Sequence, residues 1–136
     1  MTTTMTTGLL GKLLESGRYD WVNSGITVSR FPITEIPELK DERLFSFSRD
    51  ISTEDAKAEM DKEGYRPATM AELLVYGAKN SEAQRENLIV ELGSVAWVVR
   101  GGYVGVLVGC GSKRRFNLSL IGDGWSRQFR FLAVPK

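Results

Sequence analysis

The 136-residue sequence contains no histidine and a single cysteine, Cys110. The commonest general base and the commonest transition-metal ligand are therefore both missing. One thiol cannot form an intramolecular disulfide, and zinc sites built from Cys and His cannot be assembled. No apolar run approaches the ~20 residues of a membrane helix, so no membrane span is expected. Met1–Thr7 is polar and Thr-rich, with no basic patch leading into an apolar stretch. It does not read as a Sec signal, and residues 1–7 are expected to form a disordered lead-in. The compartment stays open, because a virion or cell-surface protein can reach its place without such a signal.

What is present fits one domain over residues 8–136, long enough to bury a core. The small net charge of +1 conceals an asymmetry. From Ile89 onward seven basic residues face two acidic ones, whereas the preceding part has eleven basic and fifteen acidic. The basic half is also the half rich in Gly, Val and aromatic residues. Such a half can meet an acidic partner, but the Lys113-Arg114-Arg115 run also suits the solvated end of a hairpin.

Leu9, Leu10, Leu13 and Leu14 share a helical face, which Gly17 closes. Arg18–Val22 and Ile26–Phe31 read as short strands around Asn23-Ser24-Gly25, and Leu44–Phe47 as another. Ser52-Thr53-Glu54-Asp55 and Thr69-Met70-Ala71-Glu72 have the form of capping boxes, and Ser81-Glu82-Ala83-Gln84 predicts a short third helix. Ala56 with Met60, and Met70 with Leu73, Leu74 and Gly77, supply the apolar stripes. Glu54, Asp55 and Glu59 read as a solvated face near a helix N-terminus. After Leu88 strands are expected near Leu88–Leu92, Val95–Val99, Tyr103–Val108, Arg115–Ile121 and Phe129–Val134, with turns at Gly101-Gly102 and Gly109–Ser112. The fold class is α+β, with helices in the N-terminal half and a small antiparallel sheet in the C-terminal half.

Strand alternation divides the sheet into two faces. Leu118, Leu120, Ala96, Val98, Val104 and Val106 are assigned to the core. The opposite face then carries Trp97, Val99, Tyr103, Asn117, Ser119 and Ile121, flanked by loop residues Asp123, Ser126, Arg127 and Gln128. Large apolar groups beside small polar ones suit recognition, because an aromatic ring buries much area and loses little entropy. The competing reading is that other elements cover this face as a second core, or that the register slips by one. Trp21 and Trp125 read as core residues.

Signals for chemistry are sparse. No phosphate-cradling Gly pattern follows a strand and opens a helix. No serine has a histidine to activate it, and nothing near Cys110 in sequence marks it as a nucleophile. An enzyme is not expected, and no cofactor or metal is implied. A pI of about 7.8 is low for a nucleic-acid reader.

Tyr65-Arg66-Pro67-Ala68-Thr69-Met70-Ala71-Glu72 resembles the Tyr-Arg-Leu-Pro-Thr-Glu-Ala-Glu stretch of the formylglycine-generating-enzyme branch of the C-type lectin-like fold, with Pro67-Ala68 in place of Leu-Pro. Phe129-Arg130-Phe131-Leu132-Ala133-Val134 resembles the strand that closes such domains, without its initial Gly. The segment from Gly93-Ser94-Val95-Ala96 to that strand, with Trp125 shortly before the end, is similar to the variable proteins of diversity-generating retroelements. The resemblance spans roughly the last 70 residues well and the first half loosely. It implies a C-type lectin-like domain over 8–136 with a variable region at about 95–129. In such proteins an error-prone reverse transcriptase rewrites adenine-containing codons, and the varied residues form a ligand-binding face. Here they would be Trp97, Val99, Tyr103, Val108, Cys110, Asn117, Ser119, Ile121, Asp123, Ser126, Arg127, Gln128 and Phe129. The implied partner is an unidentified protein or other surface ligand. Calcium is not implied, because the acid cluster it needs is missing near Asp123. The branch's enzymatic chemistry is not implied either, since it needs paired cysteines. The alternative is a nucleic-acid or polyanion-binding module using Lys113, Arg114, Arg115, Arg127 and Arg130.

Overall fold

A computed structural model describes residues 8–85, 87–122 and 124–136; the expected lead-in 1–7 and the candidate Asp123 lie outside the described residues. Helix α1 (Gly8–Gly17) buries Leu10, Leu13 and Leu14. Strands β1 (Trp21–Val22) and β2 (Arg43–Ser46) follow. Ser52 caps α2 (Thr53–Lys62) by accepting a hydrogen bond from the Asp55 amide, and the helix buries Ala56 and Met60. Beyond it, Gly64 adopts a φ of 82°, a left-handed conformation that glycine adopts without a steric penalty.

Strand β3 (Tyr65–Pro67) leads into α3 (Met70–Lys79). The expected capping box is complete there: Thr69 Oγ1 accepts from the Glu72 amide at 3.2 Å, and Glu72 Oε1 accepts from the Thr69 amide at 2.9 Å. Glu72 also holds Arg66 through two parallel hydrogen bonds of 2.9 Å. This guanidinium and the cap amide keep the Glu72 carboxyl below its usual range against the opposing effect of burial.

The expected third helix is only a 3-10 turn, Ala83–Arg85. Its buried Gln84 donates to the carbonyls of Val108 and Arg115, which pins the turn to the sheet. The expected strand over residues 26–31 is a turn whose Ile26 and Phe31 plug the core. Strands β4 (Leu88–Val90), β5 (Ala96–Val98), β6 (Gly101–Cys110), β7 (Lys113–Leu120) and β8 (Phe129–Pro135) complete the chain.

The eight strands form one sheet in the order β1-β7-β6-β4-β8-β2, with β3 also on β8 and β5 also on β6. The class is α+β, but two parts of the expected arrangement are corrected. Helices are not confined to the N-terminal half, since α3 lies beyond the midpoint. Nor is the sheet small, wholly antiparallel or C-terminal, because β1 pairs with β7 and β4 with β8 in parallel. The last strand inserts between β4 and the two first-half strands β2 and β3. Strands of two to four residues carry too little alternation to be read in sequence.

Both faces of the sheet are covered. On the inner face Leu107, Phe116, Ile89 and Leu132 pack under α1 and α3. On the outer face Val90, Val104, Val106, Phe131 and Phe45 pack under α2, Ile51 and Trp125. This two-sided burial corrects the face assignment of β6. Val104 lies opposite Ser119 and Val106 opposite Asn117, so these valines share the face of the candidate residues. Alternation assigns the apolar residue to the core, yet here both faces are core. Gly105 takes the inner position because a Cβ there would lie 2.8 Å from Met70 Cε and 3.1 Å from Phe116.

Gly93 is tighter still. A Cβ would meet the Ala68 carbonyl oxygen at 2.5 Å and its carbon at 2.9 Å, backbone atoms that cannot rotate away. Gly93→Ala is expected to destabilise the fold by about 3 kcal/mol, and Gly105→Ala, facing a flexible methionine tip, by about 1 kcal/mol. Urea denaturation checks the order; equal losses would contradict it.

Candidate functional site

The β5–β6 hairpin pairs Trp97 with Gly102 and Val98 with Gly101. Trp97 is 71% exposed and Val99, at the tip, is fully exposed. A Cβ on Gly102 would lie 2.6 Å from Val95, 3.0 Å from Ile121 and 3.1 Å from the Trp97 ring. These three side chains therefore converge over the bare glycine and make one apolar patch on the outer face. A larger residue at 102 would lift the indole away, which is why the strand carries glycine here.

The neighbouring loop is tied to α2. Thr53 Oγ1 donates to the Ile121 carbonyl at 2.9 Å and accepts from Trp125 Nε1 at 2.9 Å. Trp125 is buried, with Phe129 and Phe131 edge-on at 4.9 and 5.9 Å, as expected of a core tryptophan. Beside the patch lies an open groove of about 740 Å³ whose lining includes Ser52, Asp55, Ser119, Trp125, Ser126 and Phe129. Trp97, Ile121, Ser119, Ser126 and Phe129 are thus gathered around one apolar patch and the adjoining groove, with Val99 at the rim.

The other candidates separate from this group. Tyr103 faces the inner side, opposite Leu120 and Ala96, and lines a small pocket with Asn23, Gly25 and Arg30; its assignment to the outward set is corrected. The inverted parity of β6 accounts for that error. Asn117 lies on the outer face, but its Oδ1 accepts from Asn23 Nδ2 at 2.9 Å and from the Leu118 amide at 2.8 Å. Val108 and the exposed Cys110 lie at the far end of β6, roughly 20–26 Å along the strand from Gly102. Arg127 and Gln128 are exposed and line a different groove, with Arg85 and Arg130. Trp21, read as core, is instead 46% exposed, because it pairs with Arg115 at the sheet edge and points to the outer side.

Arg114 is withdrawn from the basic run. Its guanidinium donates to the carbonyls of Gly17 and Gly77 and lies 4.8 Å from the Tyr19 ring centre. Burial raises the Tyr19 phenol to about 12 despite that cation.

Glu91 escaped the reading of the sequence. Its carboxyl is fully buried, with Oε1 accepting from the Ser94 amide at 2.7 Å and Oε2 from the Gly105 amide at 2.8 Å. Ser94 Oγ in turn accepts from the Met70 amide at the start of α3. Burial pushes the carboxyl up to about 8, against the pull of the amides that hold it. The available signal was a lone acid inside the apolar run Leu88-Ile89-Val90-Glu91-Leu92.

The described residues thus form a mixed α+β domain whose two-sided core leaves an aromatic hairpin and a shallow groove at one end of the outer face. The chain matches no protein-family model, no curated protein and no solved structure.

Proposed function

We propose that this is a binding protein, not an enzyme, and that it meets a protein or other surface ligand through the outer face around Trp97, Val99, Ser119 and Ile121. We further propose a C-type lectin-like domain, as in the variable proteins of diversity-generating retroelements, with this face as its diversified surface. The observation that carries the binding reading is the 71% exposed indole of Trp97 packed beside Ile121 over Gly102. A tryptophan packed along one edge and otherwise left in water offers large contact area at small entropic cost, as binding hot spots do. Two features support the finer assignment. The last strand pairs with β2, closing the domain on itself, and the rigid Trp125–Thr53–Ile121 link holds the loop that would carry variation.

The surface should tolerate change. Trp97→Ser, Val99→Ser and Ser119→Tyr are each expected to alter stability by within about 0.5 kcal/mol. Asn117→Ala should cost about 1 kcal/mol, because it abandons Asn23 and the Leu118 amide. Thermal denaturation of the four variants checks this; a large loss at the first three would make the face a structural element and end the proposal. The polyanion alternative is weakened by the internal use of Arg114.

A further inference from the structure

A second groove, of about 470 Å³, lies away from the Trp97 patch, between the 3-10 turn and the start of β8. Its walls include Gln84, Arg85, Asn87, Arg127, Gln128 and Arg130, and among the described residues no carboxylate lines it. Arg130 Nη1 donates to the Arg127 carbonyl at 3.0 Å and the Phe129 carbonyl at 3.3 Å, which holds one guanidinium at the groove with donors to spare. Arg85 Nε is 2.8 Å from Glu82, an exposed pair. Gln84 is 1% exposed and commits Nε2 to two carbonyls, so its amide orientation is fixed. Its Oε1 has no hydrogen-bond partner.

We propose that this groove binds a phosphate group, either free phosphate or a phosphate monoester. Arg127 and Arg130 meet here with no carboxylate among the described lining residues, while Arg85 shares its charge with Glu82, and a doubly charged oxyanion offsets the positive charge that remains. The guanidinium fork matches phosphate oxygens with two parallel hydrogen bonds. A tetrahedral anion can be approached by three arginines from different sides, which a planar carboxylate with two oxygens cannot match. The groove is independent of the Trp97 face and stands or falls apart from it.

The test uses the full chain and two probes, inorganic phosphate and phenyl phosphate, with sulfate and chloride at equal ionic strength as controls. Titration followed by amide NMR is expected to shift residues 84, 85, 87, 88 and 127–130 with phosphate more than with chloride. Arg127→Gln combined with Arg130→Gln should weaken binding by about tenfold or more while the spectrum outside the groove stays folded. Phenyl phosphate binding at least as well as phosphate identifies an esterified ligand, and its exclusion identifies the free anion. Shifts indistinguishable between phosphate and chloride, or binding unaffected by the double substitution, would overturn the proposal.

Discussion

Glu91→Gln is expected to flatten the pH dependence of stability between about pH 4.5 and 8 while lowering its maximum. The folded-state carboxyl titrates near 8 because burial disfavours its charge, whereas in the unfolded chain it returns to its ordinary value of 4.5. A group raised on folding binds its proton more tightly in the native state. Its stabilising contribution is therefore complete below pH 4.5 and is lost as pH rises towards 8. The loss amounts to a few kcal/mol, at up to about 1.4 kcal/mol per pH unit. The window is open to measurement because the chain has no histidine, the residue that ordinarily titrates there. Glu72 acts on the other side: its lowered carboxyl contributes stability that disappears only as the solution becomes acidic. Glutamine cannot ionise, so the slope should vanish. Its nitrogen, however, would confront the amide of either Ser94 or Gly105, which costs about 1–3 kcal/mol at every pH. Melting temperatures from pH 4.5 to 8.5 check both parts, and a variant that keeps the wild-type slope would assign the titration to another group.

Trp125→Ala is expected to cause the largest loss at a single side chain, about 3–5 kcal/mol. The indole fills the space between Phe129, Phe131 and the start of α2, so its removal opens a cavity beneath the groove. It also strips Thr53 Oγ1 of its donor and loosens the loop carrying Ile121. Trp125→Phe should recover most of the packing but not the hydrogen bond, with an intermediate stability. Chemical denaturation orders the three proteins; if alanine costs less than about 1 kcal/mol, the second core is not held as described.

The contrast between Trp125 and Trp97 shows what could be read from sequence. Capping residues Ser52 and Thr69, the stripes on α1 and α3, and the five C-terminal strands follow from local patterns, and each lies within a few residues of its expected place. The parity of β6 does not, because Val104 and Leu107 are both buried, on opposite sides. Only Gly105 hinted at the answer, since a glycine within an apolar strand marks a close approach by another element. The mixed sheet escaped for a different reason: β1, β2 and β3 join it through long-range pairing that two to four residues cannot announce. The candidate face was legible at Trp97, Ser119 and Ile121, where alternation is intact. It failed at Tyr103 with the parity of β6, and local patterns could not foresee the bond between Asn23 and Asn117. The arginine groove was illegible because Arg85 and Arg127 are distant in sequence and meet only when β4 lies parallel to β8.

The measurement that tests the central claim most directly is sequencing of many copies of this gene from its natural population. A diversified outer face predicts adenine-derived substitutions concentrated between residues 95 and 129, at Trp97, Val99, Ser119 and Ile121, with Gly102, Gly105, Trp125 and Phe131 unchanged. Substitutions spread evenly along the chain, or falling as often on α1 and α3 as on this face, would contradict it.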